Sequence, residues 1–265
     1  MNTIMHLIRR DIKMSKRSIL IKFGIFLTIF ITYVLLLIYR FNDYQIINSR
    51  SVILEVFKGL EYLEISGGLL DKFFQFPTIW LFINGFIIYA IGDYFYQDIK
   101  INGKYILIRV KKMQLIYISK IVWSIFLVAL YYGVILFISG LLGYLFQNNT
   151  YEYIDPNYLK ISTMSLIVNV FVLYTLTSIS LVVIFITLTL KIKPVYAFLI
   201  DIVPCILSLY VENKFFIGQH NLLIRHIPFD LAHNLTVYDS VIYNLIVTTF
   251  FIIIGSIAAY KKEIF

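Results

Sequence analysis

The chain reads as an all-α, polytopic membrane protein, and three observations carry that reading. It is 60% hydrophobic and only 14% charged, with a mean hydropathy of +0.84, whereas soluble domains are nearer half apolar and about a quarter charged. Its 21 Tyr and 23 Phe suit a protein whose aromatic rings gather at membrane–water interfaces. Six segments are apolar over roughly the 20 residues that a helix needs to cross about 30 Å of hydrocarbon.

In chain order the predicted spans are 18–39, 77–96, 121–146, 163–190, 194–211 and 240–260. The fifth is the shortest and carries Asp201 and Pro204, so it either crosses fully or enters and leaves on one side. An even count puts both termini on one side of the membrane. Basic residues say which side. Sixteen of the 23 Lys and Arg lie in the N-terminal arm and first turn of span one, the 97–120 loop, the Lys191–Lys193 turn and the C-terminal end. The other connections hold most of the carboxylates, among them Asp43, Glu55, Glu61, Glu64 and Asp71. By the positive-inside rule the basic side is cytoplasmic. No internal repeat or low-complexity linker divides the chain, so 1–265 is expected to be a single transmembrane domain, with a break at Ser66-Gly67-Gly68 in the first outer loop.

The N-terminal arm, 1–17, has no short apolar core followed by a small-residue cleavage site, so it reads as a cytoplasmic segment and not as a signal peptide. Ile4, Leu7, Ile8 and Ile12 make an apolar stripe, with Arg9, Arg10, Lys13 and Lys16 off it. That pattern predicts an amphipathic interfacial helix. The 97–120 loop has the same design. Gly103 is expected to end the descending helix, and Ile106, Val110, Met113 and Tyr117 then form a second stripe at helical spacing. Arg109, Lys112 and Gln114 fall away from it.

Charge and motifs exclude several functions. The net charge of +8 is spread over short loops and makes no basic face on a folded surface, so nucleic acid is not the partner. No GxxxxGK[ST] phosphate loop is present, and this chain alone binds no nucleotide. The four histidines, His6, His220, His226 and His233, have no HExxH spacing. The last three make an outer-loop metal site conceivable, but no nearby Cys or carboxylate motif supports one. Cys205 is the only cysteine and reads as a packing residue. Asn148-Asn149-Thr150 matches a glycosylation sequon, a frequent chance pattern.

The arm LIRRDIKMSKRS, an acidic residue (Asp93 or Asp98) ending span two, Asn102-Gly103, the patch Tyr105–Arg109 and then Ser119-Lys120 together resemble the membrane subunits of ABC-2 type (type V) ABC exporters. The resemblance extends over the whole chain in topology and over about 30 residues in motif. It departs from the family pattern at Lys104, where Thr commonly follows the Gly, and at Val110, where Pro often stands.

The resemblance implies that residues 97–120 hold a coupling helix docked on a separate cytoplasmic ATPase. Asp98, Gly103, Arg109, Lys111 and Lys112 would make the coupling surface. Two ATPase copies, carrying the ATP-Mg that this chain does not bind, and a second permease, identical or related, would complete the complex in a bacterial cytoplasmic membrane. It also implies an outer cap over 212–239. Asn169, Asp201 and Pro204 are the residues expected along a translocation path. An ionisable group at the depth of Asp201 is costly unless it faces the bundle or water. Thr175, Thr177, Ser178 and Ser180 are read chiefly as packing residues. The nearly uniformly apolar spans favour a hydrophobic or amphipathic cargo, such as an antimicrobial peptide. The alternative is a membrane immunity or sensor protein that binds peptide without ATP. A secondary transporter is a weaker fit, because the bilayer segments lack clustered ionisable residues and repeat symmetry.

Overall fold

A computed structural model describes residues 2–42, 47–59, 78–110, 112–147, 162–211, 213–229 and 235–261. Its regular elements are helices: α1 (Asn2–Asn42), α2 (Ser49–Phe57), α3 (Thr78–Val110), α4 (Met113–Leu145), α5 (Thr163–Thr189), α6 (Pro194–Leu207) and α7 (Val237–Lys261), with 3-10 turns at Ile217–Asn221 and Leu223–Arg225. Among the described residues five helices are long and apolar enough to cross a membrane: α1, α3, α4, α5 and α7. The glycine break at 66–68 and the sequon at 148–150 lie outside the described residues.

Two expected joints are absent. The arm and the first span form one 41-residue helix, about 60 Å long at 1.5 Å per residue. Nothing in Lys13-Met-Ser-Lys-Arg-Ser18 interrupts it, since that run has neither Gly nor Pro. Likewise α3 runs straight through Gly103 to Val110, and α4 begins at Met113. The 97–120 segment is therefore a helical hairpin, not a loop with its own helix. Gly103 is not at positive φ, and a Cβ there would meet only Ile99 Cγ2, at 3.6 Å. One interior Gly costs a helix only about 1 kcal/mol, which packing overrides. Helix α4 starts behind Lys112, which is extended (φ −137°, ψ 110°) and whose carbonyl accepts from Leu115 N–H at 3.2 Å.

The faces also differ from the expected stripes. The arm buries Leu7, Asp11, Ser15 and Ile19, while Ile12 is 40% exposed. On the hairpin, Ile106, Met113 and Tyr117 are buried within the bundle and belong to two helices, not to one surface stripe.

Helix α5 is the centre of the bundle. In its most apolar window 78% of residues are buried, against 11% in α7, so α7 offers most of its surface to lipid or to another chain. Polar side chains join the two. Ser180 Oγ lies 3.0 Å from Asn244 Oδ1 and 2.9 Å from Thr248 Oγ1, and Asn244 Nδ2 donates to Thr177 Oγ1 at 3.2 Å. Lower down, Tyr117 of α4 meets Thr187 Oγ1 at 2.9 Å. Thr177, Ser180 and Thr187 thus serve helix packing, as expected of small polar residues in membrane helices, whereas the buried Thr175 hydroxyl has no partner among the described residues.

Helix α6 departs most from expectation. Its 14 residues rise only about 21 Å, short of a full span. Pro204 has no N–H to continue the ladder, and the helix gives way after Leu207 to a turn at Ser208–Tyr210. The chain then completes its path through the 3-10 turns. Asn221 there accepts from Trp80 Nε1 at 3.1 Å and donates to Asn84 Oδ1 at 2.8 Å, so the cap dips to the second turn of α3.

Candidate functional site

At the end of the bundle where α1 begins, three helices converge on one buried ammonium. Lys120 of α4 is 1% exposed. Its Nζ donates to Asp11 Oδ1 of α1 at 2.8 Å, to Asp98 Oδ2 of α3 at 2.5 Å and to Tyr94 OH of α3 at 2.7 Å. Those three bonds use all the hydrogens an ammonium carries. The same Nζ sits 4.2 Å from the centre of the Tyr94 ring.

The carboxylates are equally well served. Asp98 Oδ1 accepts from Arg10 at 2.5 Å and from Asn102 at 2.9 Å. Asp11 takes Arg10 at 3.2 Å, Tyr94 OH at 3.3 Å and, on its other oxygen, Ser119 Oγ at 3.3 Å. Two anions therefore face two cations, and no charge in the cluster is left alone. Such balance is the condition under which buried ions are tolerated. Beside the cluster, Trp123 of α4 donates to Ser15 of α1 at 3.1 Å. One turn further into the bundle, Lys22 of α1 pairs with Asp93 of α3.

Of the five residues expected at the coupling surface, Asp98 is inside this cluster and is not a surface contact. Both carboxylates weighed for the end of span two have lysine partners: Asp98 pairs with Lys120 and Asp93 with Lys22. Lys112 is exposed at the tip of the α3–α4 hairpin. Arg109 lies in the last turn of α3, but its side chain, like all of Lys111, falls outside the described residues. Beside this end, between α1 and α3, lies an open groove of about 720 Å³. Leu7, Ile106 and Val110 line its apolar side, and His6, Asn102 and Tyr105 its polar side.

The expected path residues do not assemble. Asn169 sits near the start of α5, and its described bond, at 3.5 Å, is to Ser165 of the same helix. Asp201 is buried on the inner face of α6 with Ala197 and Cys205, and its Oδ2 has no partner among the described residues. Pro204 lies inside that helix, three residues before its end at Leu207.

The outer cap holds a second polar centre. His220 Nδ1 and His226 Nε2 both lie 2.9 Å from Ser240 Oγ, while their opposite nitrogens face the carbonyls of Lys214 and Leu222. Arg225 is 1% exposed and donates to the carbonyls of Ser208 and Leu209, which caps the exposed carbonyl end of α6 with a positive charge. Among the described residues no three His, Cys, Asp or Glu side chains gather to hold a metal; His233 lies outside them.

Burial pushes His220 down from its ordinary value to about 4, with the Lys214 carbonyl and Asp239 opposing the shift. A folded-state pKa below the unfolded value of 6.5 means that the detached cap binds the extra proton more readily. Cap stability from this residue is full above pH 6.5 and is lost as pH falls towards 4. Hydrogen exchange over residues 213–226 should therefore accelerate between pH 6.5 and 4.5 relative to the intrinsic rate, and His220→Gln should flatten that dependence. An unchanged profile in the variant would place the acid sensitivity elsewhere.

The sequence held one signal for the inner cluster that periodicity alone did not use. Leu7, Asp11, Ser15 and Ile19 are spaced by four, as are Tyr94, Asp98 and Asn102, so each carboxylate shares a face with residues that pack. The buried role of Arg225 had no such signal. Comparisons with protein-family models, with curated proteins and with solved structures give no match to this chain.

Proposed function

We infer that the chain is the permease subunit of an ATP-driven exporter, with the α1 arm and the α3–α4 hairpin serving as the lever on which a separate ATPase acts. One observation supports this above the rest: Lys120, Asp11, Asp98 and Tyr94 tie three helices together at their shared inner end. A lever transmits force only if its members move as one, and a buried, fully paired ion cluster supplies that rigidity through directional bonds. The coupling element in this reading is a helical hairpin with Lys112 near its tip, and the ATPase docks in the groove between α1 and α3.

Orientation follows the basic residues, which puts this end in the cytoplasm. The weakly buried α7 leaves room for a second permease. The apolar spans favour a hydrophobic or amphipathic cargo.

The test is co-purification in mild detergent from the native membrane. Wild-type chain should bring down an ATPase subunit, and Arg109→Glu with Lys112→Glu should lose it while staying folded. A chain that comes down alone from its native membrane would favour a binding-only immunity or sensor protein.

A further inference from the structure

A second groove, of about 490 Å³, opens between α3 and the first turns of α6. That volume is within the range of small-molecule sites, about 300–1,000 Å³. Its apolar wall includes Phe185, Phe198 and Leu199, and it continues outward over Val195, which is 68% exposed. A glycine sets its depth. A Cβ on Gly92 would stand 2.0 Å from Phe185 Cε1, so the bare α3 backbone is what lets that ring lie back against the helix.

The polar groups at the mouth do not balance. Asp93 is already paired with Lys22, which also lies 5.1 Å from the Tyr89 ring centre. Lys100 sits 5.8 Å from the ring centre of Tyr96. Lys193 is exposed and makes no ion pair among the described residues. Beyond the Lys22–Asp93 pair the mouth thus carries two positive charges, Lys193 in the groove lining and Lys100 beside Tyr96, with neutral donors in Gln97 and two tyrosines and an apolar wall leading into the lipid-facing surface. Helix α6 begins at this point without a side-chain cap, so the positive end of its dipole adds to the charge of Lys193.

A soluble anion would leave the apolar wall unused, and a zwitterionic head group would bring a cation towards Lys22 and Lys193. We propose that this groove binds one anionic phospholipid, with the head-group phosphate at Lys193 and Gln97 and an acyl chain along Phe198 and Leu199. The site goes beyond the transport reading and needs no ATPase. Basic pockets between helices on the cytoplasmic side are suited to such head groups.

Native mass spectrometry of the full chain tests it, with phosphatidylglycerol and phosphatidylcholine offered in turn. One phosphatidylglycerol should be retained, with about tenfold preference over phosphatidylcholine, as expected for a charge-assisted contact of a phosphate with a lysine. Lys193→Gln should remove that preference and Lys193→Arg should keep it. Arg9→Gln, an exposed basic residue on the arm, should leave it unchanged. Glycerol 3-phosphate should not displace the lipid. Equal retention of the two lipids, an equal loss in Arg9→Gln, or displacement by glycerol 3-phosphate would each overturn the proposal. The first two would reduce the contact to general surface charge, and the third would make the ligand a free phosphate.

Discussion

Replacing Lys120 with Ala should destabilise the protein by about 3–5 kcal/mol, because it leaves Asp11 and Asp98 buried without their shared cation. Asp11 is 0% and Asp98 5% exposed, so water cannot readily take the place of the ammonium. Among the described residues Arg10 would remain as the cation bonded to both carboxylates. The loss should be largely recovered by removing the charges together. Lys120→Met combined with Asp11→Asn and Asp98→Asn replaces the three buried ions with neutral groups of similar volume and leaves Arg10, whose side chain is 27% exposed, to turn towards solvent; such exchanges are often close to neutral in stability. Thermal unfolding in detergent, followed for the single and triple variants, checks both statements. A single variant as stable as wild type would mean that the cluster is open to water. A triple variant as unstable as the single would mean that packing at Lys120, not charge, holds the joint.

Gly218→Ala should cost about 2–3 kcal/mol and detach the outer cap, since added volume in a packed site costs about 1–3 kcal/mol and this one presses on backbone. A Cβ at Gly218 would stand 2.4 Å from Ser208 Oγ, 2.8 Å from Cys205 Cα and 3.0 Å from the Cys205 carbonyl oxygen. The hydroxyl can rotate away; the α6 backbone cannot. The displaced cap would also strain the Arg225 contacts with Ser208 and Leu209 and the Asn221 contacts with Trp80 and Asn84. Trp80 fluorescence should shift to longer wavelength as its indole leaves a 1% exposed site, in a Trp123→Phe background that isolates the signal. Unchanged emission and stability would show that the cap has room this structure does not give it.

Fold class was legible because apolar length is a property of composition. Five of the six predicted spans correspond to long helices, and their order needs no knowledge of contacts. Joints were less legible. Gly103 looked like a break, yet a single glycine is a weak obstacle in a helix supported by neighbours on one face. The arm looked like a separate surface helix because Ile4, Ile8 and Ile12 outweighed Asp11 in the pattern. Its buried face is turned towards Asp11 and Ser15, since the partners that make those residues acceptable inside lie 83 to 109 positions away along the chain. Such pairing is invisible to periodicity. Asp98 and Lys120 stood out only through the family resemblance, with Asp98 as part of a docking surface, whereas both are buried. For α6, Pro204 lies within the last turns of a helix that ends at Leu207, and no residue after it announces that end. The cap that continues its path depends on Arg225, whose burial no local rule announces.

A lever requires the arm and the hairpin to move as one rigid unit. Spin labels at Lys13→Cys and Lys112→Cys, both exposed positions, in a Cys205→Ala background, report their separation directly. Electron–electron distance measurement should give a single narrow distribution that keeps its width and centre when ATP is added to the purified complex. The same labels with Lys120→Ala should give a broad one. A wild-type distribution that is already broad, or one that ATP splits in two, would contradict the account, because the two elements would then move separately.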